Sequence, residues 1–363
     1  MTLIPMTLQS PHSGYHWNGR QQPFFEGWYY RLTLPPNQTP RGQTIAFMYS
    51  LQDPTCGSVA AKTQASGGAV QILGPDEQYF CRSLPDVSRF WACKDRLGHG
   101  QSRASTRIPV EGYRVTATLH EGQFWDPSSA QIIRWRYRLE PVYSWGAPNY
   151  PQQSTAGWLS QFQIFEPGWQ VLMAHGWATG WFEWGDRGGG LHPTHRLDFQ
   201  RVPAYAEKNW GGAFPKQWFW IQCNAFDNEP DLTLTSGGGI WRVLGWEESV
   251  GMVGIHHQGR FYEFVPWNGR VSWQVSSWGS WSVWAEQGDY AINLVGKTAE
   301  AGVQVRVPTA AGLEFLCRDT TRGQLSVKLW QTGGRSNRLI LSASSQQAGL
   351  EVGGEEWTEV WQH

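Results

Sequence analysis

Several absences narrow the reading first. The five cysteines, Cys56, Cys81, Cys93, Cys223 and Cys317, are odd in number and form no CxxC pair. That argues against a disulfide framework and predicts a reducing compartment. Charge is scarce and balanced: 16% of residues are charged and the net charge is -1. No global basic field invites nucleic acid. No apolar run approaches the roughly 18 residues that suggest a spanning helix. The start, Met1 to Ser10, lacks both a basic-then-apolar signal peptide and the Arg/Ser bias of a transit peptide. A protein that is soluble, or peripheral to a membrane, is expected. No long stretch carries a 3.6-residue stripe, so helices should be few and short.

Cofactor motifs are missing too. Gly296-Lys297-Thr298 resembles the end of a phosphate loop, but the earlier glycine it requires is Ala291. There is no GxSxG elbow, and no GxGxxG follows a strand. His192 with His195, and His256 with His257, have metal-like spacing without a recognisable set of carboxylate or Cys partners, which favours structural or surface roles. No metal, nucleotide or flavin is expected.

What is abundant is aromatic: 24 Trp, beside 42 Gly. Aromatic and β-branched residues suit pleated surfaces, and Gly marks turns. The dominant period is two. Ile133, Trp135, Tyr137 and Leu139 alternate with Arg134, Arg136 and Arg138. Val271, Trp273 and Val275, then Val303, Val305 and Val307, then Leu325, Val327 and Leu329 repeat the pattern. These are strands with one dry face. Turns are read at Pro35-Pro36-Asn37, Gly74-Pro75-Asp76, Gly188-Gly189-Gly190, Gly237-Gly238-Gly239, Asn268-Gly269 and Gly333-Gly334. The fold class is all-β. An internal echo, Phe24 to Tyr30 against Phe214 to Trp220, predicts two related barrels, 1–200 and 201–363, with a boundary uncertain by about fifteen residues.

If Tyr205 to Gly211 is extended, Tyr205, Glu207 and Asn209 share one face, and Ala206, Lys208 and Trp210 the other. A carboxyl with two hydrogen-bonding neighbours is either an oriented acid or a polar staple between domains. His175, Trp177, Thr179, Trp181 and Glu183 alternate along another strand. The two Trp either line a cavity, with His175 and Glu183 as polar fittings, or pack a barrel wall. Glu26, just before Trp28, Tyr29 and Tyr30, is either paired or functional.

At these residues a resemblance enters. Pro11 to His16 followed by Phe24-Phe25-Glu26-Gly27-Trp28-Tyr29 resembles the opening of the tocopherol cyclase family. Phe47 to Ser50, Gly180 to Trp184, Tyr205 to Phe214 continuing into Trp218 to Asn224, and Tyr262 to Gly269 extend the likeness over nearly the whole chain. The missing transit peptide points to a cyanobacterial-type member. The family is more distantly similar to lipocalin-like carotenoid 1,2-hydratases, whose Tyr-x-acid segment matches Tyr205-Ala206-Glu207 and whose second polar element matches His175-Gly176-Trp177.

The resemblance implies two tandem lipocalin-like antiparallel β-barrels and a cofactor-free isomerase. Its reaction closes a prenylated benzoquinol into a chromanol. An acid protonates the prenyl double bond, and the phenolic oxygen captures the tertiary cation. Such an acid must be neutral, dry and close to the alkene. Glu207 is assigned that role, with Tyr205, Asn209 and His175 assisting. Glu26, Trp28, Tyr29, Trp177, Trp181, Glu183 and Trp210 are assigned to substrate binding. The partner is a prenylated benzoquinol lipid, with peripheral contact on the cytoplasmic side of a thylakoid or plasma membrane. No protein partner is implied. A carotenoid or terpenoid hydratase, a lipid carrier, and a carbohydrate-binding or glycoside-hydrolase β protein stay open as alternatives.

Overall fold

The computed structural model describes residues 9–20, 23–39, 42–54, 66–103, 110–126, 128–129, 131–162, 165–186, 195–243, 245–334 and 336–363. The expected turn at Gly188 to Gly190, and His192, lie outside them. The first half of the chain forms β1 (Phe25–Leu34), β2 (Gln43–Gln52), β3 (Gly67–Leu73), β4 (Tyr79–Leu84), β5 (Phe90–Ala92), β6 (Gly98–Ser102), β7 (Gly112–Thr116), β8 (Leu119–Asp126), β9 (Gln131–Tyr143), β10 (Phe165–Glu166), β11 (Gly168–Asp186) and β12 (His195–Gly211). The second forms β13 (Gln217–Cys223), β14 (Thr233–Val243), β15 (Trp246–His257), β16 (Arg260–Phe264), β17 (Arg270–Val275), β18 (Ser280–Gln287), β19 (Tyr290–Lys297), β20 (Val303–Thr309), β21 (Gly312–Gln331), β22 (Arg338–Gly354) and β23 (Trp361–Gln362). Among the described residues the helical segments are short 3-10 turns: Pro75–Glu77, Val87–Arg89 and Gly157–Phe162.

The strands make two antiparallel sheets. The first runs β4-β3-β2-β1-β12-β11-β9-β8-β7-β6-β5, and the second β16-β15-β14-β13-β22-β21-β19-β18-β17-β23. Each begins with a four-strand meander whose first strand also pairs with the last long strand of its half: β1 with β12, and β13 with β22. The aromatic echo therefore marks equivalent strands. Strand β10 pairs with β14 across the halves. The expected division at residue 200 falls within β12, and the path changes sheet between Gly211 and Gln217.

Both sheets curl. Strands β2 and β7 stand six places apart, about 29 Å if flat, yet Tyr49 and Tyr113 stack with centroids 4.0 Å apart. Gln101 on β6 donates to the Leu84 carbonyl at the end of β4, 2.9 Å away. In the second sheet a Cβ on Gly251 of β15 would come within 2.7 Å of the Trp273 ring of β17, seven places along. The alternating residues fill these interiors: Ile133, Trp135, Tyr137 and Leu139 in the first, Val271, Trp273, Val275, Leu325, Val327 and Leu329 in the second. Their outer faces meet in two further apolar clusters, one around Trp145, Trp169, Tyr205, Trp220 and Trp241, the other around Trp218, Val305, Val307 and Cys317.

One turn expectation is overturned. Gly237, Gly238 and Gly239 lie inside β14, not between strands. The local cause is aromatic crowding: a Cβ on Gly238 would sit 2.3 Å from Phe219, and one on Gly239 would sit 2.5 Å from Trp241. Glycine here lets rings lie flat on the strand.

Candidate functional site

Strand β12 is extended, and its alternation is the one expected. Ala204 and Ala206 enter the first interior, while Tyr205 and Glu207 face the second sheet. Glu207 is 7% exposed. Three donors converge on its Oε2: the Tyr205 hydroxyl at 2.6 Å, the Trp169 indole at 3.0 Å and the Trp220 indole at 3.0 Å. Trp169 comes from β11 and Trp220 from β13, so both sheets hold the carboxyl. Burial pushes its pKa above the ordinary 4.5, and the three hydrogen bonds only partly offset this.

Glu207 and Asn209 share the wall of a cavity of about 50 Å³ with Trp169, Trp218, Trp241 and Glu351. Gly237 also borders it, where a Cβ would meet the Trp169 ring at 3.2 Å. Tyr29 joins the same group, its ring 5.2 Å from Trp220 and edge-on.

Other expected site residues lie elsewhere. Lys208, on the opposite face from Glu207, forms a fully buried ion pair with Glu26 and donates to the Gly14 carbonyl at 2.7 Å. Burial alone would raise the Glu26 pKa, but Lys208 and His16 hold it below the ordinary value. Glu26 is thus paired, and it clips residues 14–16 onto the first sheet. Trp210 stacks on His16 at 3.9 Å. Trp28 stacks on His99 at 4.2 Å inside the first sheet.

Trp177 and Trp181 point outward under the guanidinium groups of Arg201 and Arg196, at 5.0 and 4.7 Å. Glu183 bonds Arg134 and lies 3.8 Å from Arg196, its two cross-strand partners. His175 sits within the register shift between Met173 and Gly176 of β11. Its ring lies 5.7 Å from Tyr143, which stacks on His256. Burial lowers the His175 pKa to about 4. His256 bonds the Gly146 carbonyl at 2.7 Å. The structure therefore gathers Glu207, Tyr205, Asn209 and Tyr29, and leaves Glu26, Trp28, Trp177, Trp181, Glu183, Trp210 and His175 outside that group.

Sequence reasoning missed Trp169, Trp218, Trp241, Glu351 and Asp319. A signal existed for Glu351, an acidic residue between Leu350 and Val352, but none for Asp319, which sits among Arg318, Thr320, Thr321 and Arg322. A larger cavity of about 560 Å³ opens inside the first sheet. Ala206 lines it, so it lies across β12 from Glu207.

Fold and site define an all-β protein in which two curled sheets bury a carboxyl of raised pKa among indoles. Comparison with known proteins sharpens that class. Residues 22–354 match the tocopherol cyclase-like family, and the chain belongs to it. It is 38% identical over 390 residues to the chloroplastic tocopherol cyclase of Zea mays, covering 98% of this chain and 80% of that protein. It is 37% identical over 389 residues to a probable chloroplastic tocopherol cyclase of Oryza sativa subsp. japonica, with the same coverage. Among solved structures, CghA is 10% identical with a TM-score of 0.48, covering 93% of this chain and 90% of that one. Kievitone hydratase from Nectria haematococca is 9% identical with a TM-score of 0.48, covering 96% of each. Among the described residues no helix is long and apolar enough to cross a membrane.

Proposed function

We propose that this chain is a tocopherol cyclase, an intramolecular lyase that closes the chromanol ring of a phytyl-type benzoquinol, with Glu207 as the acid. The observation that carries the assignment is the burial of Glu207 between the two sheets, which raises its pKa. Tyr205, Trp169 and Trp220 donate to Oε2, so Oε1 is the oxygen left to carry the proton. The substrate alkene takes that proton, and the tertiary cation forms beside indole faces, each worth roughly 0.5–2 kcal/mol to a cation. The phenolic oxygen closes the ring. Substrate and product are isomers, so the reaction balances without an oxidant or reductant.

A cavity of about 50 Å³ is smaller than a benzoquinol ring. The ring enters by parting the indole walls, which then pack against it in place of water. That favours capture by the phenol over hydration. Tyr205 and Asn209 orient the acid, and Tyr29 borders the ring. The two sheets serve as two lipocalin-like domains that meet on this cleft. Trp246, 76% exposed on the β14–β15 hairpin that also carries Trp241, touches a lipid surface peripherally and places the cleft where the substrate dissolves.

The test is anaerobic incubation with a reduced phytyl benzoquinol, comparing wild type with Glu207→Gln by product chromatography. Chromanol from wild type and none from the folded variant is expected. Chromanol from both would move the proton donor elsewhere, and a product heavier by one water would make the protein a hydratase.

A further inference from the structure

A second carboxyl faces the same cavity from the other sheet. On β22, Leu350 and Val352 point into the second interior, so Glu351 between them points toward the first sheet. It lines the cavity with Glu207. The Trp218 indole donates to its Oε1. Its cross-strand neighbours are Trp220 on β13 and Asp319 on β21. Trp220 in turn donates to Glu207, so an indole separates the two glutamates.

Asp319 is 1% exposed, and among the described residues no side chain donates a hydrogen bond to either of its oxygens. Among the described residues the buried Tyr29 hydroxyl has no hydrogen-bond partner, and it stands in the field of Asp319, Arg31, Glu351 and Glu207 together. Buried polar groups are costly to leave unpaired. Such an expense, concentrated beside one cavity, marks groups awaiting a ligand's hydrogen-bonding atoms.

We propose that Glu351, backed by Asp319, is the base that accepts the phenolic proton as the ring oxygen closes on the cation. The inference rests on the reading of Glu207 as the acid. The proton count is complete. The Glu207 O–H bond breaks as a C–H bond forms on the alkene. The phenol O–H bond breaks as the C–O bond forms, and that proton moves to the Glu351 carboxylate. The product is neutral, Glu207 is ionised and Glu351 is protonated. One proton returning from Glu351 to Glu207, with the Tyr29 hydroxyl among them as carrier, restores the starting state.

Electrostatics agree with this division of labour. Burial pushes Glu351 up to about 7, so a substantial fraction is ionised at neutral pH. Burial and the charges of Glu351 and Glu77 push Asp319 well above the ordinary range, while Arg31 pulls it down. The charge on Glu207 is part of the rise at Glu351. The base therefore strengthens as the acid gives up its proton.

The test is the pH dependence of kcat/KM on the reduced phytyl benzoquinol for wild type and Glu351→Gln, with Glu207→Gln as the inactive control. Wild type should show a limb that rises with pH and has its midpoint near 7. Glu351→Gln should lose that limb and roughly 10²–10⁴-fold in kcat, with KM within a few-fold. A Glu351→Gln protein that keeps both the limb and the wild-type kcat overturns the proposal while leaving Glu207 as the acid. Wild type without chromanol would remove the underlying reading instead. Carboxyl infrared difference titration gives an answer even if Glu351→Gln does not fold. Wild type should show a carboxyl titrating near 7 that persists in Glu207→Gln and shifts in Glu351→Asp. No such carboxyl, or one that Glu351→Asp leaves in place, contradicts the proposal.

Discussion

Glu207 and Glu26 are two buried glutamates set in opposite electrical states by their neighbours. Glu207 meets only neutral donors, and burial raises its pKa. Glu26 meets Lys208 and His16, and they hold it down. For Glu207 the folded state binds the proton more tightly than the unfolded chain. Its contribution to stability is therefore full below about pH 4.5 and is lost as pH rises through the raised value. Glu207→Gln removes this dependence, so its Tm should fall less than that of wild type between pH 5 and 8. Equal slopes would contradict the raised pKa. For Glu26 the sign reverses: its contribution is present at neutral pH and disappears as pH falls through its depressed pKa. Lys208→Met strands Glu26 without its partner and should cost about 3–5 kcal/mol in denaturant unfolding at pH 7. At this scale the sequence was partly legible. The two faces of Tyr205 to Trp210 follow from strand period alone. That Glu26 is paired with Lys208 does not, because the contact joins residues far apart in the chain.

Strands carry the next level. Alternation reveals β9, β17 and β21, because one face is dry and the other charged. It also reveals the strand containing Trp177 and Trp181, but not that their face turns outward beneath Arg196 and Arg201. An indole covered by a guanidinium and one facing a core have the same period. The glycines of β14 misled for a related reason. Glycine signals a turn when space around the chain is ample, and here it signals rings packed against the strand. Gly237→Leu should push against Trp169 and fill the cavity. Overpacking of this kind costs about 1–3 kcal/mol. Chromanol formation should fall at least tenfold while far-ultraviolet circular dichroism stays unchanged. Unaltered turnover would place the reaction outside this cavity.

Across the whole molecule, the site exists because two sheets meet. Arg31 on β1 crosses that junction fully buried. It donates to the Gln222 side chain at 2.6 Å and to the Gln347 carbonyl at 2.6 Å. Gln71 on β3 exchanges two hydrogen bonds with the backbone of Arg306 on β20, at 2.8 and 2.9 Å. The echo of two aromatic runs made the tandem arrangement legible. The contacts that turn two sheets into one site were not, since single residues at long separation leave no periodic trace. Arg31→Met should lower global stability by several kcal/mol and lower chromanol formation with it. Full activity in that variant would separate catalysis from the junction.

The central claim is that an enzyme carboxyl protonates the alkene and no water is added. The direct measurement is turnover of the reduced phytyl benzoquinol in D₂O, with mass and NMR analysis of the chromanol after exchangeable sites are washed back to hydrogen. The account predicts one deuterium per molecule, in a single stereochemical position on the ring CH₂ beside the newly oxygenated carbon. Chromanol without deuterium at that carbon, or with deuterium in both positions equally, would contradict it.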